Sequence, residues 1–99
     1  MARLIYHPDA KVEIRAAAEY YEGCRTGLGE TFLATVEAGV NQVADHPLRW
    51  RKISPHFRRY LISRFPYGII YAVEKDIILV TAVMHLKRKP DYWKGRIEP

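Results

Sequence analysis

The chain has 99 residues, 48% of them aliphatic, aromatic or Cys and 27% charged. That is one domain of ordinary globular composition, not a disordered chain and not large enough for a second core. The formal charge is +5, and no apolar run reaches the ~18 residues of a membrane-spanning helix.

Residues 3–7 (RLIYH) form a short apolar stretch and predict a strand. Pro8 suits the first turn of a helix, where its missing N–H costs nothing, and Asp9 is favoured there by the helix dipole. Ala10, Ile14, Ala17 and Tyr21 then recur at helical spacing, and Gly23 is placed to cap the end, so a helix is expected over about 9–23. Gly27-Leu28-Gly29 breaks the chain. A second helix is expected over about 29–45, with Phe32, Val36, Val40 and Val43 on one stripe and Gly39 where two helices approach closely. The short connection predicts an antiparallel hairpin, and Pro47 stops the second helix.

Residues 46–57 read as a loop with two prolines and three basic residues. Strands are expected at about 58–64, 67–73 and 77–85, with Pro66 in the first turn and Lys75-Asp76 in the second. The last two are apolar on both faces, as covered central strands are. A basic, aromatic tail occupies 86–99. The fold class is therefore α+β, in the order β-α-α-β-β-β. A helical hairpin packs on one face of a small, largely antiparallel sheet, and the other face is left for the loop, the tail and a partner.

Charge divides the chain. Residues 1–45 hold four basic and seven acidic side chains, net −3, and residues 46–99 hold twelve and four, net +8. A basic half selects an anionic partner such as nucleic acid, an acidic protein segment or a membrane surface; a solvated basic surface is the plain alternative. The N-terminus MARLIYHPDA is too polar for a signal peptide, and a soluble, cytoplasmic protein is expected. The one cysteine, Cys24, forms no intrachain disulfide, and its place at the expected end of a helix, where the dipole raises a thiol pKa, makes it a surface or core cysteine rather than a nucleophile. Carboxylates in the basic half are scarce and no Cys/His cluster has ligand spacing, so no metal site is expected.

Four segments carry a resemblance that runs over nearly the whole chain. They are His7-Pro8-Asp9-Ala10 with Tyr20-Tyr21-Glu22; Gly27-Leu28-Gly29 with Phe32 and His46-Pro47; Arg64-Phe65-Pro66-Tyr67 with Ile70-Tyr71; and Val83, His85, Arg88, Pro90, Tyr92, Trp93 and Arg96. In this order they resemble the RelE/ParE superfamily of bacterial type II toxins, whose fold has the same order of elements. The resemblance implies a toxin of a toxin–antitoxin (plasmid-stabilisation) module, without cofactors. A co-expressed antitoxin would wrap and neutralise it through an extended, partly helical segment. RelE-like members cleave mRNA in the ribosomal A site without a metal. ParE-like members inhibit DNA gyrase and are not nucleases.

Metal-free RNA cleavage needs a base for the 2′-hydroxyl, cations for the phosphorane and an acid for the leaving oxygen. The resemblance places one nuclease arginine three residues before Tyr71, where this chain has Gly68. A second falls at Leu86, two residues before Arg88, while Tyr92 matches the nucleases' C-terminal tyrosine. A nuclease reading uses His85, Arg88 and Tyr92 as catalytic residues, with Lys87, Arg58 and Arg59 as cations and Tyr92 and Trp93 stacking on bases. The plain reading has His85 capping the strand end through a carbonyl, and Tyr92 and Trp93 pinning the tail. Period-2 alternation puts Arg58 and Arg64 on one face and Arg59 on the other.

His85 is typical of ParE-like sequences and, with Gly68, turns the reading toward a toxin that binds its target without chemistry. Expected target- or antitoxin-binding residues are Trp50, Arg51, Lys52, Arg58, Arg59, Arg64, Lys87, Arg88, Trp93 and Arg96. Trp50 serves as an anchor among Arg49, Arg51 and Lys52. The antitoxin's binding segment should be acidic and amphipathic and should cover the basic face. Direct binding to duplex DNA is not expected, because the helical half has the wrong sign for phosphate. Three readings remain open: a gyrase-binding toxin, a ribosome-dependent mRNA interferase, and an inactive member that only binds its antitoxin or autoregulates.

Overall fold

The computed structural model describes residues 3–97, and residues 98 and 99 of the predicted tail lie outside them. The elements are β1 (Arg3–Tyr6), α1 (Pro8–Cys24), α2 (Leu28–Asp45), β2 (Arg58–Leu61), β3 (Tyr67–Glu74) and β4 (Ile77–His85). The sheet order is β1-β4-β3-β2. β1 runs parallel to β4, and the other two pairings are antiparallel. This is the expected order and the expected largely antiparallel sheet, with the hairpin on one face.

Local differences from expectation have local causes. The first strand stops at Tyr6 because His7 is the N-cap of α1: its Nδ1 accepts the Asp9 N–H at 3.0 Å. Gly23 does not cap α1. The helix runs through it to Cys24, and the Arg25 N–H closes the end on the Tyr21 carbonyl. Gly27 makes the turn between helices at φ 88°, which a side chain would resist, and the Glu22 carboxylate accepts the N–H groups of Gly27 and Gly29.

Gly39 does not mark the helix–helix contact. A Cβ there would lie 2.8 Å from Tyr60 Cε1 and 3.0 Å from Ile69 Cδ1, so Gly39 lets α2 settle on the sheet. The close approach of the helices is at Gly29, where a Cβ would meet the Ala18 carbonyl at 2.6 Å.

The helices bury their expected stripes. Phe32, Val36, Val40 and Val43 of α2 and Ala10 and Ala17 of α1 meet Ile69, Tyr71, Ile78, Val80 and Val83 of the sheet. Phe32 sits among the rings of Tyr21, Phe65 and Tyr67 at 5.1–5.3 Å and contributes about 1.5–3 kcal/mol by burial. The opposite face is not bare. Phe57 and Ile53 of the loop and Tyr92 and Trp93 of the tail cover Ile70, Ala82 and Met84. The loop also carries backbone pairing, with Lys52 bridged to Arg58 and the Arg59 N–H donating to the Arg51 carbonyl.

β2 is shorter than expected and ends at Leu61. Arg64 lies beyond it in a left-handed conformation, φ 70°, so alternation along the strand no longer fixes its side. Arg58 and Arg59 do face opposite sides: their register partners are Tyr71, on the helix side, and Ile70, on the loop and tail side.

Candidate functional site

β4 is longer than the strand beside it. β1 pairs only with Ile77–Val80, and the His7 N–H takes the Val80 carbonyl as the chain turns into α1. Among the described residues, no strand pairs with this edge of β4 beyond that point. A bulge follows at once: Tyr71 pairs with Val80 and Ile70 with Ala82, leaving Thr81 unpaired. Backbone groups on such an edge need partners. Arg96 Nη1 donates to the Thr81 carbonyl at 3.3 Å, and the Val83 N–H donates to Glu13 Oε1 at 3.1 Å.

Glu13 is the centre of this arrangement. It points from α1 onto the β4 edge, and its side chain is only 12% exposed. Oε1 also accepts from Arg96 Nη1 at 3.0 Å. Oε2 accepts from the Tyr92 hydroxyl at 2.7 Å and from Arg88 Nη1 at 3.3 Å. Arg88 lies over the Tyr92 ring, its Cζ 3.6 Å from the centroid, and Arg96 Cζ is 5.0 Å from the same ring. Arg96 Nε adds a longer contact to Asp9 Oδ2 at 3.7 Å. One carboxylate thus serves four donors. Charge-assisted bonds of this kind are the strong ones, and the low exposure limits their screening.

The remaining predicted residues separate into three places. His85 stands at the end of β4, edge-on to Tyr67 at 5.1 Å, and its Nδ1 accepts the Lys87 N–H at 3.0 Å. Its bond is thus to a backbone N–H. Trp93 is 2% exposed, stacks edge-on to Phe57 at 4.8 Å and donates its indole N–H to Met84 Sδ. That burial leaves no ring face for a base. Trp50 packs edge-on to Tyr60 at 4.8 Å, with Arg49 over it at 5.6 Å. Arg58 ties the loop down by donating to the carbonyls of Leu48 and Trp50, at 3.1 and 2.7 Å. Arg51, Lys52, Arg64 and Lys87 are exposed. The structure therefore brings Arg88, Tyr92 and Arg96 together, while Trp50 and Arg58 make their ring and polar contacts within the loop and β2.

Gly68 lies buried beneath Arg59. A Cβ at Gly68 would meet Arg59 Cγ at 3.1 Å, Arg59 Cδ at 3.2 Å and Leu86 Cδ2 at 3.5 Å. At the place where the resemblance puts a nuclease arginine, an added Cβ would press on the Arg59 stem and touch Leu86 at ordinary contact distance. Among the described residues, no group of three His, Cys, Asp or Glu side chains comes close enough to hold a metal ion, and no helix is long and apolar enough to cross a membrane.

Sequence reasoning overlooked Glu13. Its signal was an acidic residue three positions after Ala10 and four before Ala17, on the buried stripe of α1. Such a residue needs a cation, and its cations come from the far end of the chain.

The Tyr92 hydroxyl is held protonated. Burial raises its pKa most, and the bond to Glu13 and that carboxylate's charge raise it further, against the lowering by Arg88 and Arg96. A raised folded-state pKa gives stability that is complete below the ordinary tyrosine value near 10.0 and is lost as pH rises toward the folded-state value. Tyr92→Phe should cost roughly 1.5–3 kcal/mol at neutral pH. The difference from the parent should shrink above about pH 10, as read by denaturant titration. A difference that stays constant to pH ~12 contradicts this assignment.

The family profile described as ParE toxin of type II toxin-antitoxin system, parDE, matches residues 4–90. The fold is similar to a chain solved as "Chromosomal ParDE TA system from P. aeruginosa", with a TM-score of 0.66 and 18% identity over 88% of this chain and 98% of that one. No curated protein matches the sequence. The order of elements, the buried hairpin stripes and a profile match over most of the chain agree: this chain belongs to the ParE toxin family of type II toxin–antitoxin systems.

Proposed function

We propose that this toxin arrests growth by binding DNA gyrase through its C-terminal segment, and that it does not cut RNA. The observation that carries the reading is Gly68, roofed by the Arg59 stem and Leu86 where a nuclease needs a guanidinium over the phosphorane. The state of Tyr92 supports it. A hydroxyl that already donates to Glu13, with its pKa raised, is poorly placed to lose a proton or to protonate a leaving oxygen. Arg88 and Arg96 already share the Glu13 carboxylate, which fixes their poses and offsets part of their charge. Binding is left: a half-exposed guanidinium lying on an aromatic ring is a common interface anchor.

Purified toxin should block negative supercoiling by purified gyrase and leave mRNA on stalled ribosomes intact. Ribosome-dependent mRNA cleavage that disappears with Arg88→Ala contradicts the proposal and establishes the interferase reading. Normal supercoiling together with intact mRNA and normal growth establishes the inactive reading.

The antitoxin's acidic segment is assigned to a groove of about 740 Å³ on the sheet. Ile5, Ile77 and Leu79 contribute apolar lining, and Arg3, Lys52 and Arg58 outnumber Glu74 around it. Complementary charge acts mainly on the rate of encounter. Lys52→Glu should slow association with the antitoxin roughly tenfold at low salt, with the gap closing as salt rises. An association rate indifferent to both the substitution and salt contradicts this placement.

A further inference from the structure

The C-terminal segment 86–97 is held at two kinds of place. Trp93 is its hydrophobic anchor, buried against Phe57 and Met84. The anchor fixes where the segment lies but not how its charged side chains stand, because the indole touches none of them through a polar contact. Arg88 precedes the anchor by five positions and is 52% exposed. Its polar side-chain partner among the described residues is Glu13, and the Tyr92 ring lies beneath it. Tyr92 in turn is oriented by the bond from its hydroxyl to the other side of the same carboxylate oxygen.

Removing the carboxylate charge sets these groups against each other. Arg88 and Arg96 both lie within about 5 Å of one ring, and two guanidinium ions at such separation repel unless an anion stands between them. Arg96 keeps alternatives in the Thr81 carbonyl and Asp9. Arg88 has none of comparable geometry among the described residues. Its pose is therefore set from α1, 75 residues away in sequence.

We propose that Glu13 is the positioning residue of the target-binding segment: its carboxylate holds Arg88 over the Tyr92 ring and so presents a pre-ordered guanidinium to an acidic patch of the target protein. This rests on the reading that the segment engages the target. Pre-ordering matters because a free arginine loses rotamer freedom on binding, and an already fixed one does not. Arg88 is half exposed, so the same guanidinium can donate to a second carboxylate without leaving the first.

The test uses the full-length toxin and two readouts, amide hydrogen exchange and growth inhibition at matched expression. Glu13→Gln retains the size of the side chain but has one acceptor oxygen and no charge. Exchange at amides of residues 88–96 should quicken roughly tenfold or more while β3 amides, and β4 amides other than Val83, hold, and growth inhibition should be lost. Glu13→Asp keeps two acceptor oxygens and should restore part of both. Val43→Ala, which opens a cavity in the helix–sheet core, should lower global stability without either selective effect. Unchanged exchange in Glu13→Gln, or full potency despite quickened exchange, overturns the role of Glu13 alone. Full potency of an Arg88→Ala, Tyr92→Ala double variant overturns both that role and the target reading beneath it.

Discussion

The unequal length of two neighbouring strands shapes the end of this molecule where the C-terminal segment docks. β4 runs five residues past its last pairing with β1, into a region where no strand among the described residues completes the sheet. An exposed strand edge of that kind invites pairing with another chain, and a buried one needs partners for its backbone groups. The bulge at Thr81 and the placement of α1 resolve the problem together. Glu13 takes the Val83 N–H, and Arg96 takes the Thr81 carbonyl. The acid that covers the edge is the acid that gathers Arg88, Tyr92 and Arg96, so edge protection and tail attachment are one device.

That device sets the chemistry. A superfamily whose members divide between cutting RNA and binding a protein needs arginines and a tyrosine either free or occupied. Here they are already bonded to Glu13, with Arg88 still half exposed. Tyr92 is held in its neutral form, two guanidiniums share one carboxylate, and Gly68 is covered by the Arg59 stem. Each is a small local fact, and on the proposed reading each leaves less for the phosphoryl chemistry of a nuclease to use. A rigid, cationic and partly aromatic surface remains, and such a surface suits recognition.

Much of the fold was legible because it is written in periodicity. The stripes Ala10-Ile14-Ala17-Tyr21 and Phe32-Val36-Val40-Val43, and the doubly apolar runs of β3 and β4, each mark one face or two faces of burial. What periodicity cannot say is which neighbour a face meets. Gly39 reads as a close approach, but only the fold shows that the approaching group is the Tyr60 ring rather than α1. The same limit hid the site. His85, Arg88, Tyr92 and Arg96 stood out by residue type, yet the group that organises three of them lies 75 to 83 residues upstream in sequence. The alternation argument for Arg64 stopped working where its strand stopped, at Leu61. Trp93 read as either an exposed stacking ring or a pin for the tail, and only packing against Phe57 decides for burial.

The most direct test of a toxin that binds rather than cuts is pulse labelling in a bacterium after controlled induction. Thymidine and methionine incorporation are followed over the first minutes. The account predicts that thymidine uptake falls first while methionine uptake continues. Early loss of methionine uptake with DNA synthesis still running contradicts it, and would mean that the covered Gly68 and the occupied Tyr92 do not prevent RNA cleavage.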